Sequence, residues 1–569
     1  MGYVRGMRVI SLCAGALLLA MAADAAPGHF PFSAQPLASL HVATNGNDTT
    51  GNGSLGLPFR TLGRAAQGAV PGTEIVLLPG IHTPGAFIYD LHGSTSHPIW
   101  IRGANPTNRP LINGGSEGVH LVRARHVMIK DLEIANASAN GLNCDDGGAY
   151  TNPNASAFLV FSNLVIRDIG GGGNQDGIKL SGIRDFYIFD VDIARCGGAG
   201  SGSGIDMVGC HRGLIEGGVF RDLSGNAIQA KGGTTDIEIR RCVFSNAGHR
   251  ALNIGGSTGF EFFRPPLSSN QPNAEARDIR VFSSVFIGAT ATVAFAGSVD
   301  CIVANNTIIE PTRWVFRILQ ETTTSGSYVF QPCSSNIFRN NIVYYRHDTL
   351  NRYVNEGADT DPASFRVDHN LWFAYDNPAA PGYALPGITT NNRIGLNPQF
   401  AAAASNDYRI TAASPAATQG LHRAGAPPDF DGVSYLTPPS LGAFELSGDT
   451  DLDALPDYWE LASFTTLVHT AASDPDGDGV NNGAEYGADT NPLDPASHLA
   501  FTEWTWDDGG LRVAWKGGVG AQQWVERNTG WPTAVWVPIA TLPPPTAPTN
   551  SIAVPADSAT AFRLRAARP

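Results

Sequence analysis

The sequence predicts an all-β fold: a solenoid of short stacked strands, then an acidic loop segment, then a small β-sandwich. Three observations predict it. One pattern (an apolar residue, about three small or polar ones, two or three more apolar ones) recurs nine times between residues 127 and 376. Glycine, 65 residues in all, punctuates the chain without recurring every third position, which excludes collagen. From residue 449 on, carboxylates at fixed spacing and then a cluster of tryptophans replace the repeat.

The 569 residues allow about three domains. A 43% hydrophobic and 15% charged composition buries a large core. The net charge of −14 argues against a protein that grips nucleic-acid phosphates. Only four lysines occur, at 130, 179, 231 and 516. Arginine carries nearly all the positive charge, so each lysine stands out.

At the N-terminus, Arg5 and Arg8 precede an apolar run from Val9 to Ala23, and Ala23-Asp24-Ala25 offers small residues for cleavage. Residues 1–25 are expected to be a signal peptide, and the mature protein secreted. The run is too short to span a membrane, and no later run is longer. The six mature cysteines are 144, 196, 210, 242, 301 and 333. Export permits disulfides, but the pairing is not deducible, and buried thiols stacked in a core satisfy the same pattern.

The repeat begins as VMIKDLEIANA at Val127 and continues through LVFSNLVIRDIG, FYIFDVDIARCG and six more copies, ending with FRVDHNLWFAYD at Phe365. Successive starts lie about 22 to 42 residues apart, the mark of a solenoid whose coils share one core. The copies are short, β-branched and bounded by glycine, which favours strands. A second column aligns GLNCDDG (Gly141), GIKLSG (Gly177), GIDMVG (Gly204), AIQAKGG (Ala227) and ALNIGG (Ala251). Leu142, Ile178, Ile205, Ile228 and Leu252 then point inward, as do Cys144, Leu180, Met207, Ala230 and Ile254. Alternation turns Asn143, Asp145, Lys179, Ser181, Asp206, Gln229, Lys231 and Asn253 outward. The doublets Asn305-Asn306, Asn340-Asn341 and His369-Asn370 mark a bend with stacked asparagines and left-handed backbone.

The stretch from His41 to Thr83 resembles the opening of secreted bacterial right-handed parallel β-helix proteins, polysaccharide lyases among them. The resemblance implies that fold over residues 39–446, with a capping helix near Thr61 to Ala69. The run Gln229 to Gly256 is similar to a lyase pattern in which an outward Lys is followed, about one coil later, by a basic residue.

Beyond the repeats, Asp449, Asp451, Asp453, Asp457 and Glu460 occupy loop positions 1, 3, 5, 9 and 12. Asp474, Asp476, Asp478, Asn482 and Glu485 repeat that spacing, with Gly479 at the sixth position where the first loop has Ala454. Calcium takes six to eight hard oxygens, and this spacing wraps one chain around one ion. The pair resembles thrombospondin type 3 repeats, so calcium is the expected cofactor and residues 449–497 a calcium-ordered spacer. Residues 498–569 hold Trp504, Trp506, Trp515, Trp524, Trp531 and Trp536 in short alternating runs. They read as a sandwich whose tryptophans fill the core, with exposed tryptophans that stack on sugar rings as the alternative.

The resemblance implies β-elimination on an acidic, uronate-containing polysaccharide by a monomer. A base must remove the proton α to a carboxylate whose charge has been neutralised. Lys231 is the expected base, with Arg250 or His249 holding the carboxylate. Lys179 is a second candidate base or a substrate contact, and Gln229, Asn253 and Arg264 are expected substrate contacts. Asp206, with Asp145, Asp146, Asn226 and Gln229, forms a candidate calcium site on the same face. Two alternatives stay open. Asn174-Gln175-Asp176-Gly177 resembles an acidic motif of polygalacturonases, which are glycoside hydrolases, although their downstream motifs are missing. A non-catalytic glycan-binding β-helix is the other.

Overall fold

The computed structural model describes Phe32 and residues 34–568, apart from 199, 351, 447, 448, 450, 452, 508, 509, 529–535 and 555–560. The expected signal peptide lies outside the described residues. The chain divides into two compact units, one running to Glu445 and one from Leu446.

The first unit is a right-handed parallel β-helix with three parallel sheets of 13, 10 and 12 strands. Each copy of the sequence repeat is not one strand but two, on different sheets. Arg125–Lys130 and Glu133–Ala135 are such a pair, split by Asp131 at φ +60°. The same left-handed bend recurs at Asn163, Asp190, Arg241, Ser283, Asn305, Asn340 and His369. Asn and Asp tolerate it best. Behind the bend a side-chain ladder runs along the axis. The amide N–H of Asn306 donates to Asn341 Oδ1, that of Asn341 to Asn370 Oδ1, and that of Asn370 to Asn392 Oδ1, at 2.9, 2.9 and 3.1 Å. Each asparagine thereby satisfies a buried amide that parallel pairing leaves over.

The core follows the predicted inward columns. Leu142, Ile178, Ile205, Ile228 and Leu252 are in register, each no more than 2% exposed. Burial of each such side chain stabilises the fold by about 1.5–3 kcal/mol. Phe220, Phe244 and Phe286 stack with ring centroids 4.9 and 4.5 Å apart. The expected capping helix is Leu62–Gln67, with Thr61 accepting the Arg64 N–H as N-cap. All six mature cysteines are buried and unpaired, each packed as a small apolar residue.

The second unit contains the helices Asp457–Phe464 and Asn482–Ala488 and two three-stranded antiparallel sheets. Here the acidic segment is bonded into the sandwich rather than merely preceding it. Asp489 accepts from Arg568 Nη2 at 2.5 Å and from the Gly520 N–H at 2.6 Å. Arg568 Nε donates to the Tyr486 carbonyl. Only part of the tryptophan expectation matches: Trp515 is fully buried, whereas Trp504 and Trp506 are 50% and 77% exposed. Trp524 and Trp536 are covered by Arg565 and Arg563 at 3.8 and 4.5 Å. Trp531 lies outside the described residues.

Candidate functional site

The ten-stranded sheet presents one outward row along the helix axis. Its register aligns Phe87, His120, Asn143, Lys179, Asp206, Gln229, Asn253, Ala294, Arg317 and Asn355. The next outward row holds Asp145, Ser181, Val208 and Lys231. Both rows follow from alternation about the buried columns. At the start of these strands, Gly141, Gly177 and Gly204 allow the coils to close. A Cβ there would meet the next coil's carbonyl oxygen at 2.6–2.7 Å.

Two lysines converge on one carboxylate. Asp206 is fully buried; its Oδ2 accepts from Lys179 Nζ and lies 3.6 Å from Lys231 Nζ. Its Oδ1 is buried without a hydrogen-bond partner. Asp176 joins from the same strand turn, 3.5 Å from Lys179 Nζ, and accepts the Ser203 N–H at 2.7 Å. Burial, with the Asp206 charge beside it, pushes Asp176 up to about 6. Burial pulls Lys179 down, but Asp206 and Asp176 outweigh it and hold Lys179 above the usual lysine value. Lys179 is therefore a fixed cation and does not fit the second-base role.

Beside this cluster two buried amides face Gly256. Arg250 Nη1 donates to Asn253 Oδ1 at 2.9 Å. A guanidinium only donates, so Asn253 turns its Nδ2 the other way. Gln229 Oε1 lies 3.4 Å from Asn226 Nδ2 and 3.5 Å from Ser203 Oγ, which likewise leaves its Nε2 outward. The two NH₂ groups meet at Gly256. A Cβ on that residue would lie 2.7 Å from Gln229 Nε2, 3.4 Å from Asn253 Nδ2 and 3.6 Å from Lys231 Cδ. Only glycine fits here, because the two amides and the Lys231 stem pack directly against it, and Gly256, Gln229 and Asn253 are all buried.

The other expected site residues are elsewhere. Arg250 begins its strand opposite Asn226, five residues before Lys231 in register, or about 16 Å along the strand. It bonds Asn253 and Glu321, so it does not converge with Lys231. His249 is exposed at the bend before it. Arg264 is only 7% exposed and is no open substrate contact. It forms a two-pronged ion pair with Asp146 at 2.8 and 2.9 Å and covers the Tyr150 ring at 4.4 Å. Asp146 is thereby spent on Arg264. Asp145 is spent on His120, 2.6 Å from Nε2, while Glu117 lies 2.7 Å from Nδ1. Burial opposes the charge on His120, but these two carboxylates raise it to about 9. Asp145, Asp146 and Asp206 thus sit in three separate ion pairs and do not assemble a calcium site. The Glu117–His120 pair was missed because the sequence alignment began at Gly141; the preceding coil, GVHLV from Gly118, carries the same pattern.

The insertion after Gly256 walls the face. Its return strand begins beyond Glu275, which accepts from the Gly232 and Thr258 N–H groups at 2.8 and 2.9 Å and from the Thr322 hydroxyl. Gly182 and Gly209 make room for the Arg264 side chain, which a Cβ at either position would meet within 2.7 Å.

In the C-terminal unit the expected metal ligands do come together. Asp449, Asp451 and Asp453 have oxygens within 4.8 Å of one another, as do Asp451, Asp457 and Glu460, and Asp474, Asp476 and Asp478. Position 9 of each loop begins a helix and position 12 follows one turn later, on the same face. Ala454 adopts φ +75°, close to the +89° of Gly479, so the first loop makes the same turn without glycine. Both Glu460 carboxylate oxygens, Glu485 Oε2, Asp476 Oδ2 and Asn482 Oδ1 are buried without hydrogen-bond partners. Burial and the neighbouring aspartates push Glu460 and Glu485 up to about 7. Crowded, unsatisfied hard oxygens fit a divalent cation.

A protein-family profile described as a right handed beta helix region matches residues 117–308. Among solved structures, the chain is similar to the pectate lyase Pel9A, at 18% identity over 72% of this chain and 97% of that one, with a TM-score of 0.46. It is also similar to an alginate lyase from Paenibacillus sp. str. FPU-7, at 17% identity over 63% and 99%, with a TM-score of 0.37. A protein named only as a glycoside hydrolase matches at 9% identity over 63% and 96%, with a TM-score of 0.38. A search of curated protein sequences found no match. The profile match concerns the fold; identities this low assign no activity.

Proposed function

We propose that the chain is an exported enzyme that cleaves a uronate-containing polysaccharide by β-elimination, with the polymer along the outward row of the ten-stranded sheet. The observation that carries this reading is the convergence of Lys179, Lys231 and the amides of Gln229 and Asn253 on adjacent outward rows of one sheet. In this reading the substrate displaces Gly256. The amides of Gln229 and Asn253 beneath it, 6% and 3% exposed, then donate to the substrate carboxylate, and Lys179, held as a cation, adds positive potential behind them. Lys231 removes the proton α to that carboxylate. The electron pair forms the ring double bond, the glycosidic C–O bond breaks, and the leaving oxygen takes up a proton. The negative charge that builds on the carboxylate in the transition state meets donors already in place.

A hydrolase on this scaffold needs two carboxylates flanking an open bond. Asp176 and Asp206 are 1% and 0% exposed and both close on Lys179, which disfavours that role.

The test is new ultraviolet absorbance from the unsaturated product on polygalacturonate, alginate or glucuronan. Lys231→Ala is expected to lower turnover at least 100-fold, with circular dichroism showing the β-helix still folded and Tm lowered in part, because Asp206 then keeps only Lys179 as its cation. Lys231→Arg fails likewise, because arginine stays protonated. Gln229→Glu, of equal size, sets a negative charge against the carboxylate and should cost at least tenfold in kcat/KM. Retention of more than about a tenth of the wild-type rate by Lys231→Ala, a loss under ~1.4 kcal/mol, removes Lys231 as the base.

The two C-terminal loops hold calcium in this reading, with Asp449, Asp451, Asp453, Asp457 and Glu460 on one ion and Asp474, Asp476, Asp478, Asn482 and Glu485 on the other. The ion supplies charge neutralisation to the loops and takes no part in the elimination.

A further inference from the structure

Further along the same outward row, a second cluster of cations remains without matching anions. Trp314 begins the strand Trp314–Leu319, and Arg317 follows three residues later. The Arg313 and Arg317 guanidiniums lie 4.1 and 4.6 Å from the Trp314 ring centroid. Arg317 Nε donates to Asn355 Oδ1 at 3.0 Å, which fixes the fork in place. Arg313 is exposed. Among the described residues neither makes an ion pair with a carboxylate. Arg250 stands nearby, in register with Ala291 and through it with Trp314. Glu321 is the carboxylate of this patch, and Arg250 Nη2 already bonds it at 2.6 Å. Burial, with Arg250 beside it, holds Arg317 below the usual arginine value. Three guanidiniums thus share one carboxylate in a chain of net charge −14. Elsewhere on this face, Lys179, Lys231, His120 and Arg264 each have an acidic partner.

The placement relative to Lys231 matters. Arg317 follows Asn253 and Ala294 in the outward row. Two strand spacings separate it from Asn253, about 10 Å. Ala294 between them is fully buried, packed with Ala296 and Leu319, so a chain spanning that distance passes over their cover rather than against Ala294. One oligosaccharide lying along the row reaches both places.

We infer that Arg313, Trp314 and Arg317 form a distal subsite that binds a carboxylate-bearing sugar of the same polymer. The Trp314 ring holds the two planar guanidiniums over it by cation–π contact, and together they offer paired donors to the sugar's carboxylate. The inference rests on the proposed function, which lays the polymer on this face.

The test uses the full-length Lys231→Ala protein, so that bound chains are not cut, titrated calorimetrically with oligogalacturonate and with oligoalginate of defined length. Arg313→Gln and Arg317→Gln together should weaken binding at least tenfold and flatten its salt dependence. Trp314→Ala should weaken binding of long oligomers and leave the shortest ones less affected. Arg313→Gln alone changes an exposed side chain and keeps the test valid if the double variant fails to fold. Equal affinity of the Lys231→Ala parent and the arginine variants for every acidic oligomer overturns the subsite. If the parent binds no acidic oligomer at all, the polymer-cleaving reading falls, and the subsite with it.

Discussion

Lys179 and Lys231 share a side-chain type and a carboxylate, yet a second carboxylate, Asp176, on Lys179 alone separates their tasks. Their prominence was legible because the chain holds so few lysines, and alternation turned both outward. Which of them is pinned was not legible, because that depends on Asp176, whose position near Lys179 arises only when the strand turn folds. The same limit hid His120, whose two carboxylate partners lie on different coils. Its behaviour with pH follows from linkage. The folded-state value is raised to about 9 from 6.5. The stabilisation is therefore complete below pH 6.5, fades as pH rises from 6.5 to 9, and is absent above. At 1.36 kcal/mol per unit it amounts to at most about 3 kcal/mol. Urea midpoints of wild type and His120→Gln should differ at pH 6 and converge by pH 9.5. A difference that is the same at both pH values sinks the assignment of that ion pair as the cause.

At the scale of elements, the unit of this fold is the coil, and its repeat was readable as periodicity. The left-handed bend inside each repeat was not, because Arg241 and Ser283 occupy it as well as Asn and Asp, so no single residue type marks it. The asparagine ladder was readable where doublets recur. The clasp between the loop after Asp145 and the insertion after Gly256 was invisible, since Asp146 and Arg264 lie 118 residues apart. Arg264 looked like a substrate contact for the same reason. It acts instead as the pin that holds the insertion against earlier coils. Arg264→Ala leaves Asp146 buried and uncompensated, which typically costs 3–5 kcal/mol. A melting curve should show that loss, and adding Asp146→Asn should recover part of it, because the orphaned charge goes with it. If the double variant melts no higher than the single one, the loss comes from packing of the arginine stem rather than from the buried charge.

At the scale of the whole molecule, two compact units have separate cores, and clusters of carboxylates close enough to share a cation occur in only one of them among the described residues. The first unit's core is a continuous apolar column. The second is held by a small sandwich core around Val513, Trp515 and Val525 and by a cluster of Leu455, Trp459 and Phe464 between its acidic loops. Those loops keep buried carboxylate oxygens unsatisfied, and like charges crowd one another there, which opposes folding unless a cation is bound. The clustering of these carboxylates was legible because their spacing is local, within twelve residues. It did not predict that the loop helices bond to the last strand, because that docking joins Tyr486 and Asp489 to Arg568. The consequence concerns what calcium removal should melt. Binding to the folded state alone stabilises that state by mass action. Chelation should therefore lower the stability of everything from Leu446 on, sandwich included, and not merely loosen residues 449–497. Scanning calorimetry with calcium and with chelator should show one transition moving down and the β-helix transition staying in place. Limited proteolysis in chelator should cut within the C-terminal unit and spare a core fragment ending near Glu445. A chelator-insensitive thermogram removes calcium from the account of this unit. Loss of uronate cleavage on chelation, with the β-helix transition unmoved, instead places a functional ion on the catalytic face, contrary to the three closed ion pairs of Asp145, Asp146 and Asp206.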